Sequence, residues 1–334
     1  MTEPLFVPTE TYLLSSLPEL WFLAVLFALA MYIALDGFDF GIGMLYATRS
    51  SEREREALLS AFGPVWDANE VWLVAFGTML LAAFPDVYAA LLSDHYLVVI
   101  GFVLALVFRG VGPELREQRA DERWQRGCDL AFVAGSTLAP LLFGVLAGSW
   151  LFAAPALSAP AVLTGVGLVA LSVVTGAAFL AAKTGPELAA SVSRYGMGAT
   201  AAYLAGVVAL LATVVARDAG GSADAVLSAP GLAAVGLSAL AGVAGIAFAA
   251  RGRYRAWLAS AFALPALLAV LVARVLYPTV YPATGLTVES AVVSPLALNL
   301  TTVLGLPVLV VVLWYFKFLY GVFSGPVEAE SYSA

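Results

Sequence analysis

Four carboxylate side chains lie within two strongly apolar stretches of this sequence, where charge is costly. Asp36 and Asp39 are three residues apart in the first stretch, and Asp67 and Glu70 have the same spacing in the second. Residues three apart lie on one face of a helix. One Asp at the centre of a membrane helix costs roughly 2.5–3.5 kcal/mol on insertion scales, and such groups usually face a bundle interior, water or a partner. The spacing predicts a buried polar site.

Low dielectric disfavours the charged form of a carboxyl, so groups in this setting can take up and release protons near neutral pH. Asp67 is the leading candidate for such a role, because Trp66, Asn69 and Trp72 surround it in the sequence. For Asp36 an alternative stays open. In that alternative Asp36 has a structural role and not a proton-transfer role: its carboxyl either caps the end of a broken helix or joins two helices by hydrogen bonds.

The elements that position these groups are predicted to be membrane-spanning helices. The 334 residues are 62% apolar and 12% charged, against roughly 25% charged in a soluble domain, and about 20 apolar residues cross a bilayer as a helix. We predict an all-α polytopic fold, with residues 1–334 forming one integral membrane domain. The nine predicted spans lie near 17–46, 58–83, 85–112, 124–149, 156–182, 188–215, 226–250, 255–278 and 295–323.

The distribution of basic residues predicts the orientation, since cytoplasmic loops carry the positive excess. Of the 16 Lys and Arg residues, all but Arg217 and Arg274 fall on one side of the predicted bilayer. The amino terminus is therefore expected outside and the carboxyl terminus in the cytoplasm.

The depth of the acidic groups follows from the helical rise of about 1.5 Å per residue. Asp39 lies ten residues before Arg49, and Asp67 lies twelve residues after Arg55. Both are expected about 15–18 Å above the level of those arginines, and thus in one layer near mid-membrane.

The chain is poor in residues that hold redox cofactors. It has one cysteine, Cys128, and one histidine, His95, close to the external end of the third predicted span. A low-spin haem usually needs two axial side chains, and no multi-His metal site can form. The net charge of −7 opposes nucleic-acid binding. Redox chemistry would therefore depend on a partner.

Other polar and aromatic residues near span ends are expected at the membrane surface. Arg109 is interpreted as a snorkelling interfacial arginine, and the alternative is a contact with a carboxylate or a haem propionate across a subunit interface. The aromatic group Trp314, Tyr315, Phe316 and Tyr320 is interpreted as a lipid-facing belt. The glycines in the segment 37–43 indicate close helix packing, although they also fit a broken helix.

Three segments resemble subunit II of the cytochrome bd-type quinol oxidases in order and spacing. They are Leu35–Gly43 (LDGFDFGIG), Gly63–Leu73 (GPVWDANEVWL) and Ala82–Ala90 (AAFPDVYAA), and weaker likenesses at Phe108–Gly112, Lys183–Leu188 and Ser294–Asn299 extend over the whole chain. Ala68 departs from the pattern, which commonly has glycine there.

The resemblance implies a subunit of a terminal oxidase that oxidises quinol and reduces oxygen to water. The expected fold is two four-helix bundles plus one peripheral helix, in a prokaryotic plasma membrane. Haem b and haem d would be ligated by a partner, subunit I, and a small single-span accessory subunit and a structural quinone or lipid are further expectations. No cofactor would be ligated by this chain.

The resemblance also assigns residues. Asp67, with Trp66 beside it, matches a proton-pathway aspartate, Asp39 matches the second aspartate of the Asp-Gly-Phe-Asp motif, and Trp72 matches a tryptophan lining a proposed oxygen channel. Asp36 and Glu70 are expected to belong to the same proton pathway, with Trp66 and Asn69 as supporting residues.

A second hypothesis is an ion-coupled secondary transporter. In that case the acidic pairs would bind a proton or Na⁺ beside a helix broken at mid-membrane, as transporters often have.

Overall fold

The fold is helical throughout most of its length in this computed structural model, which describes residues 7–217, 222–323 and 325. In chain order the elements are α1 (Leu17–Tyr46), α2 (Glu52–Phe62), α3 (Trp66–Ala83), α4 (Pro85–Asp94), α5 (Tyr96–Arg116), α6 (Glu122–Phe152), α7 (Ala159–Lys183), α8 (Pro186–Arg217), α9 (Ser222–Leu227), α10 (Ala229–Ala250), α11 (Tyr254–Leu276), β1 (Thr279–Tyr281), β2 (Leu286–Thr287), α12 (Val288–Ala291) and α13 (Pro295–Val322).

Eight helices among the described residues are long and apolar enough to cross a membrane, namely α1, α5, α6, α7, α8, α10, α11 and α13. The protein is therefore a multi-pass membrane protein, as the hydropathy predicts. Its orientation and its single-domain organisation stay predictions, and the side chain of Arg217, one of the two exceptions to the charge rule, lies outside the described residues.

Two predicted spans are not single helices. The segment 58–83 is divided between α2 and α3 by a turn at residues 63–65, because Pro64 lacks a backbone N–H and its ring clashes with the carbonyl four residues earlier. The segment 85–112 is likewise divided into α4 and α5 at His95, whose backbone is not helical. Nothing in the local sequence explains that second break.

Helix α1 lies at the centre of the fold and packs against α3, α6, α7 and α11. It continues without a break through its glycine-rich segment, so the expectation that Asp36 caps a broken helix is wrong. A Cβ atom added at Gly176 of α7 would lie 2.7 Å from the Cα atom of Gly41. Gly41 and Gly176 thus allow close packing of α1 on α7.

This contact predicts that replacing two glycines of α7 by alanine will have very different effects on the stability of the protein. Gly176→Ala should lower the free energy of unfolding by about 1–3 kcal/mol, because the added methyl group overpacks the α1–α7 contact. Gly167→Ala is the matched control, since nothing lies within 4 Å of a Cβ atom there. Thermal unfolding of the purified protein in detergent measures both, and equal melting temperatures would contradict the packing.

The connection between α11 and α13 is a short antiparallel hairpin of β1 and β2. Thr279 lies opposite Thr287, and Tyr281 lies opposite Leu286. The Tyr281 hydroxyl donates to Asp94 Oδ2 at 2.6 Å. Burial, and then this contact with Asp94, raise the pKa of Tyr281 above its ordinary value, so the hydroxyl stays protonated and holds the hairpin to the end of α4.

Helix α13 is mostly exposed and is held at its start by polar contacts. Asn299 is fully buried; its side chain accepts from the Leu13 backbone N–H at 2.9 Å and donates to the Thr11 carbonyl at 2.8 Å. The Trp21 indole of α1 donates to the Thr302 hydroxyl at 2.8 Å. These bonds fix the beginning of α13, and the rest of the helix then runs past α3.

Candidate functional site

Arg109 of α5 joins two acidic residues from two other helices. Its guanidinium pairs with Asp36 of α1 through Nη1 and with Glu70 of α3 through Nη2, the latter at 3.0 Å. Arg109 and Asp36 are both 0% exposed, whereas the Glu70 side chain is 26% exposed. The interpretation of Arg109 as a snorkelling surface residue is therefore wrong, because its charge lies inside the bundle.

Small and aromatic neighbours position the arginine. A Cβ atom at Gly135 of α6 would lie 2.9 Å from the Arg109 Cα atom, so glycine lets α6 approach α5 closely there. The guanidinium carbon lies 4.8 Å from the centre of the Phe40 ring, 5.8 Å from Phe62 and 5.5 Å from Trp66. Aromatic faces attract a desolvated cation, so these rings take the place of water around the charge.

Asp39 is held by an amide and not by a cation. It is 0% exposed, and its Oδ2 atom accepts from Asn69 Nδ2 of α3 at 2.8 Å. The Asn69 Oδ1 atom accepts in turn from the Tyr320 hydroxyl of α13 at 2.7 Å. A row of three polar side chains thus crosses α1, α3 and α13.

Tyr320 corrects the interpretation of the α13 aromatic residues as a single lipid-facing belt. Trp314 and Tyr315 are exposed, but Phe316 is buried against Trp72 and Tyr320 turns toward the buried site. Residues 316 and 320 are four apart and therefore share one helix face. This spacing could have indicated from the sequence that both side chains point in the same direction.

Asp67 does not join the buried groups. It lies in the first turn of α3 and is exposed, and its side chain makes no hydrogen bond or ion pair with any residue that the structure describes. The predicted shared layer of Asp39 and Asp67 stays a prediction. The residues from Arg55 to Asp67 do not form one helix, so the constant rise from which the depth of Asp67 was derived does not apply across residues 63–65. Asn69 and Glu70 reach the site in its place.

The two tryptophans of the motif occupy different surroundings. Trp66 stacks on Phe62 with ring centres 5.6 Å apart and forms part of the aromatic surroundings of Arg109. Trp72 is 1% exposed and is enclosed by Phe27 at 5.7 Å and Phe316 at 5.4 Å. Its role as the lining of an oxygen route stays a prediction.

The buried cluster, which we define as Asp36, Asp39, Glu70 and Arg109, has more acidic than basic groups. Fully ionised, its three carboxylates and one guanidinium would leave two negative charges without a cation. Asp36 Oδ2, Asp39 Oδ1 and Arg109 Nε also lack hydrogen-bond partners within the described part of the chain. Unpaired charge is very costly in a low dielectric, so the arrangement is suited to hold protons.

The one histidine and four of the methionines of this chain are engaged in local contacts. Haem iron needs side chains such as His, Met, Cys or Tyr. His95, the one histidine, holds the junction of α4 and α5 with its Nδ1 atom 3.1 Å from the Leu91 carbonyl. Met31, Met44, Met79 and Met197 pack against the apolar core, and the described residues contain no group of three metal-binding His, Cys, Asp or Glu side chains.

Fold and site together define a multi-pass α-helical membrane protein with an ionisable cluster in its core. Residues 17–323 match the family of cytochrome bd terminal oxidase subunit II, and the chain belongs to that family. This confirms the resemblance noted in the sequence and favours the oxidase hypothesis over the transporter hypothesis.

Relatives from two bacteria match part of the chain. The cytochrome bd ubiquinol oxidase subunit 2 of Bacillus subtilis is 41% identical over 136 residues, 40% of this chain and 40% of the relative. The cytochrome bd-I ubiquinol oxidase subunit 2 of Escherichia coli K12 is 38% identical over 139 residues, 41% of this chain and 36% of the relative. The matches thus span about two fifths of each relative.

The fold also resembles a solved structure over nearly its whole length. A chain in the structure of bd oxidase from Geobacillus thermodenitrificans superposes with a TM-score of 0.72 and 18% identity, covering 91% of this chain and 98% of that one. At this identity the likeness establishes the shared fold.

Proposed function

We propose that this chain is the subunit of a quinol-oxidising, oxygen-reducing complex that carries protons toward a haem site in a partner, subunit I. The observation that carries the proposal is the surplus of carboxyl groups around the single guanidinium of Arg109. Haem b and haem d would be bound by the partner, which is supported by the position of His95, the one histidine of this chain, at the junction of α4 and α5. The partner would bind the quinol and the oxygen as well. Both relatives compared above are named as subunits of ubiquinol oxidases, which supports the same activity here.

Within the cluster, the three carboxyl groups differ in what neutralises them. Asp36 and Glu70 have the Arg109 guanidinium as a counter-ion. Asp39 has only the Asn69 amide as a hydrogen-bond donor. A buried carboxyl without a counter-ion favours its neutral form, so Asp39 is the group that holds an exchangeable proton.

A route out of the cluster leads along α3. Glu70 is the cluster carboxylate that is partly exposed, and Asp67 lies three residues earlier on the same helix, within one turn. Residues at this spacing are neighbours on the helix surface. A proton that leaves the cluster through Glu70 would therefore reach Asp67 at the outer face of α3.

The outer face of α3 supports pairing with another subunit. Val71, Val74 and Leu81 are exposed on α3 at helical spacing from Asp67. A carboxylate among these residues would be costly against lipid, so a protein partner with polar groups opposite Asp67 is the favoured neighbour. Trp72 as part of an oxygen route, a small accessory subunit and a bound quinone or lipid remain predictions of the family resemblance.

Asp67→Asn tests this route, because the amide keeps the size of the side chain and cannot carry the proton. In the complete complex, turnover of quinol with oxygen should fall by at least about tenfold, and the haem absorption bands should remain. Asp86→Asn, at an exposed aspartate in the first turn of α4, is the matched control. Normal turnover in Asp67→Asn would refute the route through Asp67, and loss of haem would show that the residue is structural.

A further inference from the structure

Three exposed arginines lie at the short connection between α10 and α11. Helix α10 ends at Ala250 and α11 begins at Tyr254, so three residues join two helices that are each long and apolar enough to cross a membrane. Gly252 has a φ of +66°, a left-handed conformation that glycine adopts without strain, and the chain reverses there. A connection this short between two spans has to lie at the membrane surface, at the level of the lipid headgroups.

The positive charges of Arg251, Arg253 and Arg255 are not balanced by acidic side chains nearby. The sequence has no Asp or Glu between Asp224 and Glu289. Those two residues lie beyond the opposite ends of α10 and α11, which are helices about 30 Å long. None of the ion pairs in the described part of the chain involves the three arginines. The connection therefore presents three uncompensated cations.

The three guanidinium groups also keep most of their hydrogen-bond donors. A guanidinium has five N–H donors in a planar fork that suits carboxylate and phosphate oxygens. Within the described residues, the one side-chain hydrogen bond of these arginines runs from Arg251 Nη1 to the Ala247 carbonyl at 3.3 Å. The guanidinium carbon of Arg253 lies 5.5 Å from the centre of the Phe248 ring, a contact that gives its N–H groups no oxygen acceptor. An anion with several oxygens would supply what these donors lack.

The shape of the connection and its surroundings indicate what kind of anion fits. An open depression of about 360 Å³ is lined by Gly252, Arg253, Tyr254, Arg255 and Ala256, which is within the size range of small-molecule sites. The exposed side of α10 that leads to it is apolar and includes Leu240 and Val243. Cations at headgroup level beside an apolar helix face suit an amphiphile with an anionic head and hydrocarbon tails.

We infer that the α10–α11 connection binds the phosphate headgroup of an anionic phospholipid, with Arg251, Arg253 and Arg255 as its cationic contacts. Basic residues at a membrane surface attract anionic lipids, and three of them together favour an anionic over a neutral lipid by about 100-fold. A free phosphate ion would meet the same charges but would gain nothing from the apolar face of α10. The site is separate from the buried cluster, whose four residues come from α1, α3 and α5.

The test compares phosphatidylglycerol with phosphatidylcholine, a phospholipid without net charge, on the delipidated complete complex. Native mass spectrometry across a titration counts the lipids bound. The triple variant Arg251→Gln, Arg253→Gln and Arg255→Gln should bind the most tightly held phosphatidylglycerol about 100-fold more weakly and should bind phosphatidylcholine as before. Turnover and the haem absorption bands should not change, because the three arginines lie outside the buried cluster.

The matched control removes three arginines from the connection between α5 and α6, as Arg119→Gln, Arg123→Gln and Arg126→Gln. Residues 114–126 carry four acidic and four basic residues, so positive charge is not in excess there and the tightly held lipid should remain. Equal losses of phosphatidylglycerol in the two triple variants would overturn the inference. Equal binding of the two lipids to the unchanged complex would overturn it as well.

Two further outcomes would assign the arginines to another occupant and would also overturn the inference. One is displacement of phosphatidylglycerol by an equal concentration of inorganic phosphate, which would indicate a site for a free anion. The other is loss of a protein subunit from the first triple variant with lipid binding unchanged, which would indicate an acidic protein segment. If that variant cannot be purified, raising the salt concentration must still release phosphatidylglycerol from the unchanged complex, because salt screens exposed charges, and binding that is independent of salt would refute the site.

Discussion

Arg109→Met is expected to cause the largest loss of stability of any single substitution proposed for this protein. The arginine is the shared counter-ion of Asp36 and Glu70 and is fully buried. Removal of one member of a buried ion pair typically costs about 3–5 kcal/mol, because the remaining charge is left without a partner. Methionine fills a similar length without the charge, so the loss would reflect the ion pairs more than a cavity.

The measurement is the apparent melting temperature and the yield of the purified complex. Arg126→Met is the matched control, because Arg126 also pairs with a glutamate, Glu122, but both side chains are more than three-quarters exposed. Exposed pairs of this kind contribute little, so the control should unfold as the unchanged protein does.

A second substitution separates the ion pair from other effects of the change. Asp36→Asn in the Arg109→Met background removes one of the stranded carboxylates and should restore part of the lost stability. The non-additivity of the two substitutions then measures their coupling. Equal melting temperatures for Arg109→Met and Arg126→Met would contradict the view that Arg109 neutralises the cluster.

The burial of Arg109 was not predicted from the sequence, because the predicted end of its helix was placed too early. The third predicted span stops at residue 112, which would place Arg109 in its last turn, near the membrane surface. Helix α5 in fact runs from Tyr96 to Arg116, so Arg109 lies seven residues inside it, or about 10 Å at 1.5 Å per residue. Its two acidic partners are 73 and 39 residues away in the chain, and no local pattern connects them.

The acidic residues were located from the sequence with mixed success. The cost of charge in an apolar helix correctly indicated that Asp36 and Asp39 face the interior, and both are fully buried. The Asp67 side chain is exposed, and the depth estimate for it assumed one helix across Gly63 and Pro64, where a turn separates α2 from α3. A glycine followed by proline is a recognised signal for a turn, so the break was visible in the sequence.

The hydrogen bond between Asn69 and Tyr320 could not be predicted from residues that are close together in the sequence. Tyr320 lies 251 residues further along the chain, and only the packing of α13 beside α3 brings the two together. The aromatic residues near the end of α13 fit a membrane belt by composition, but their helical spacing divides them between an exposed face and an inward face.

Asp39→Asn is expected to cause the largest loss of activity with the least change of structure. The asparagine has the size of the aspartate, and its oxygen can still accept the bond from Asn69 Nδ2 that holds the native side chain. The change removes the ability to take up and release a proton. General acid–base groups typically contribute about 10²–10⁴-fold to a rate, so turnover of quinol with oxygen should fall at least about 100-fold, while the haem spectrum and the melting temperature stay near those of the unchanged complex.

The matched control for this substitution is Asp224→Asn, since Asp224 is an exposed aspartate of α9, far from α1 in the sequence. It should leave turnover unchanged. Asp67→Asn should reduce turnover less than Asp39→Asn does. The reason is that Asp67 is exposed, so water can partly replace it as a proton carrier. Full turnover in Asp39→Asn would refute the proton-holding role of the buried cluster, and a parallel loss of haem would mean that Asp39 holds the helices together instead.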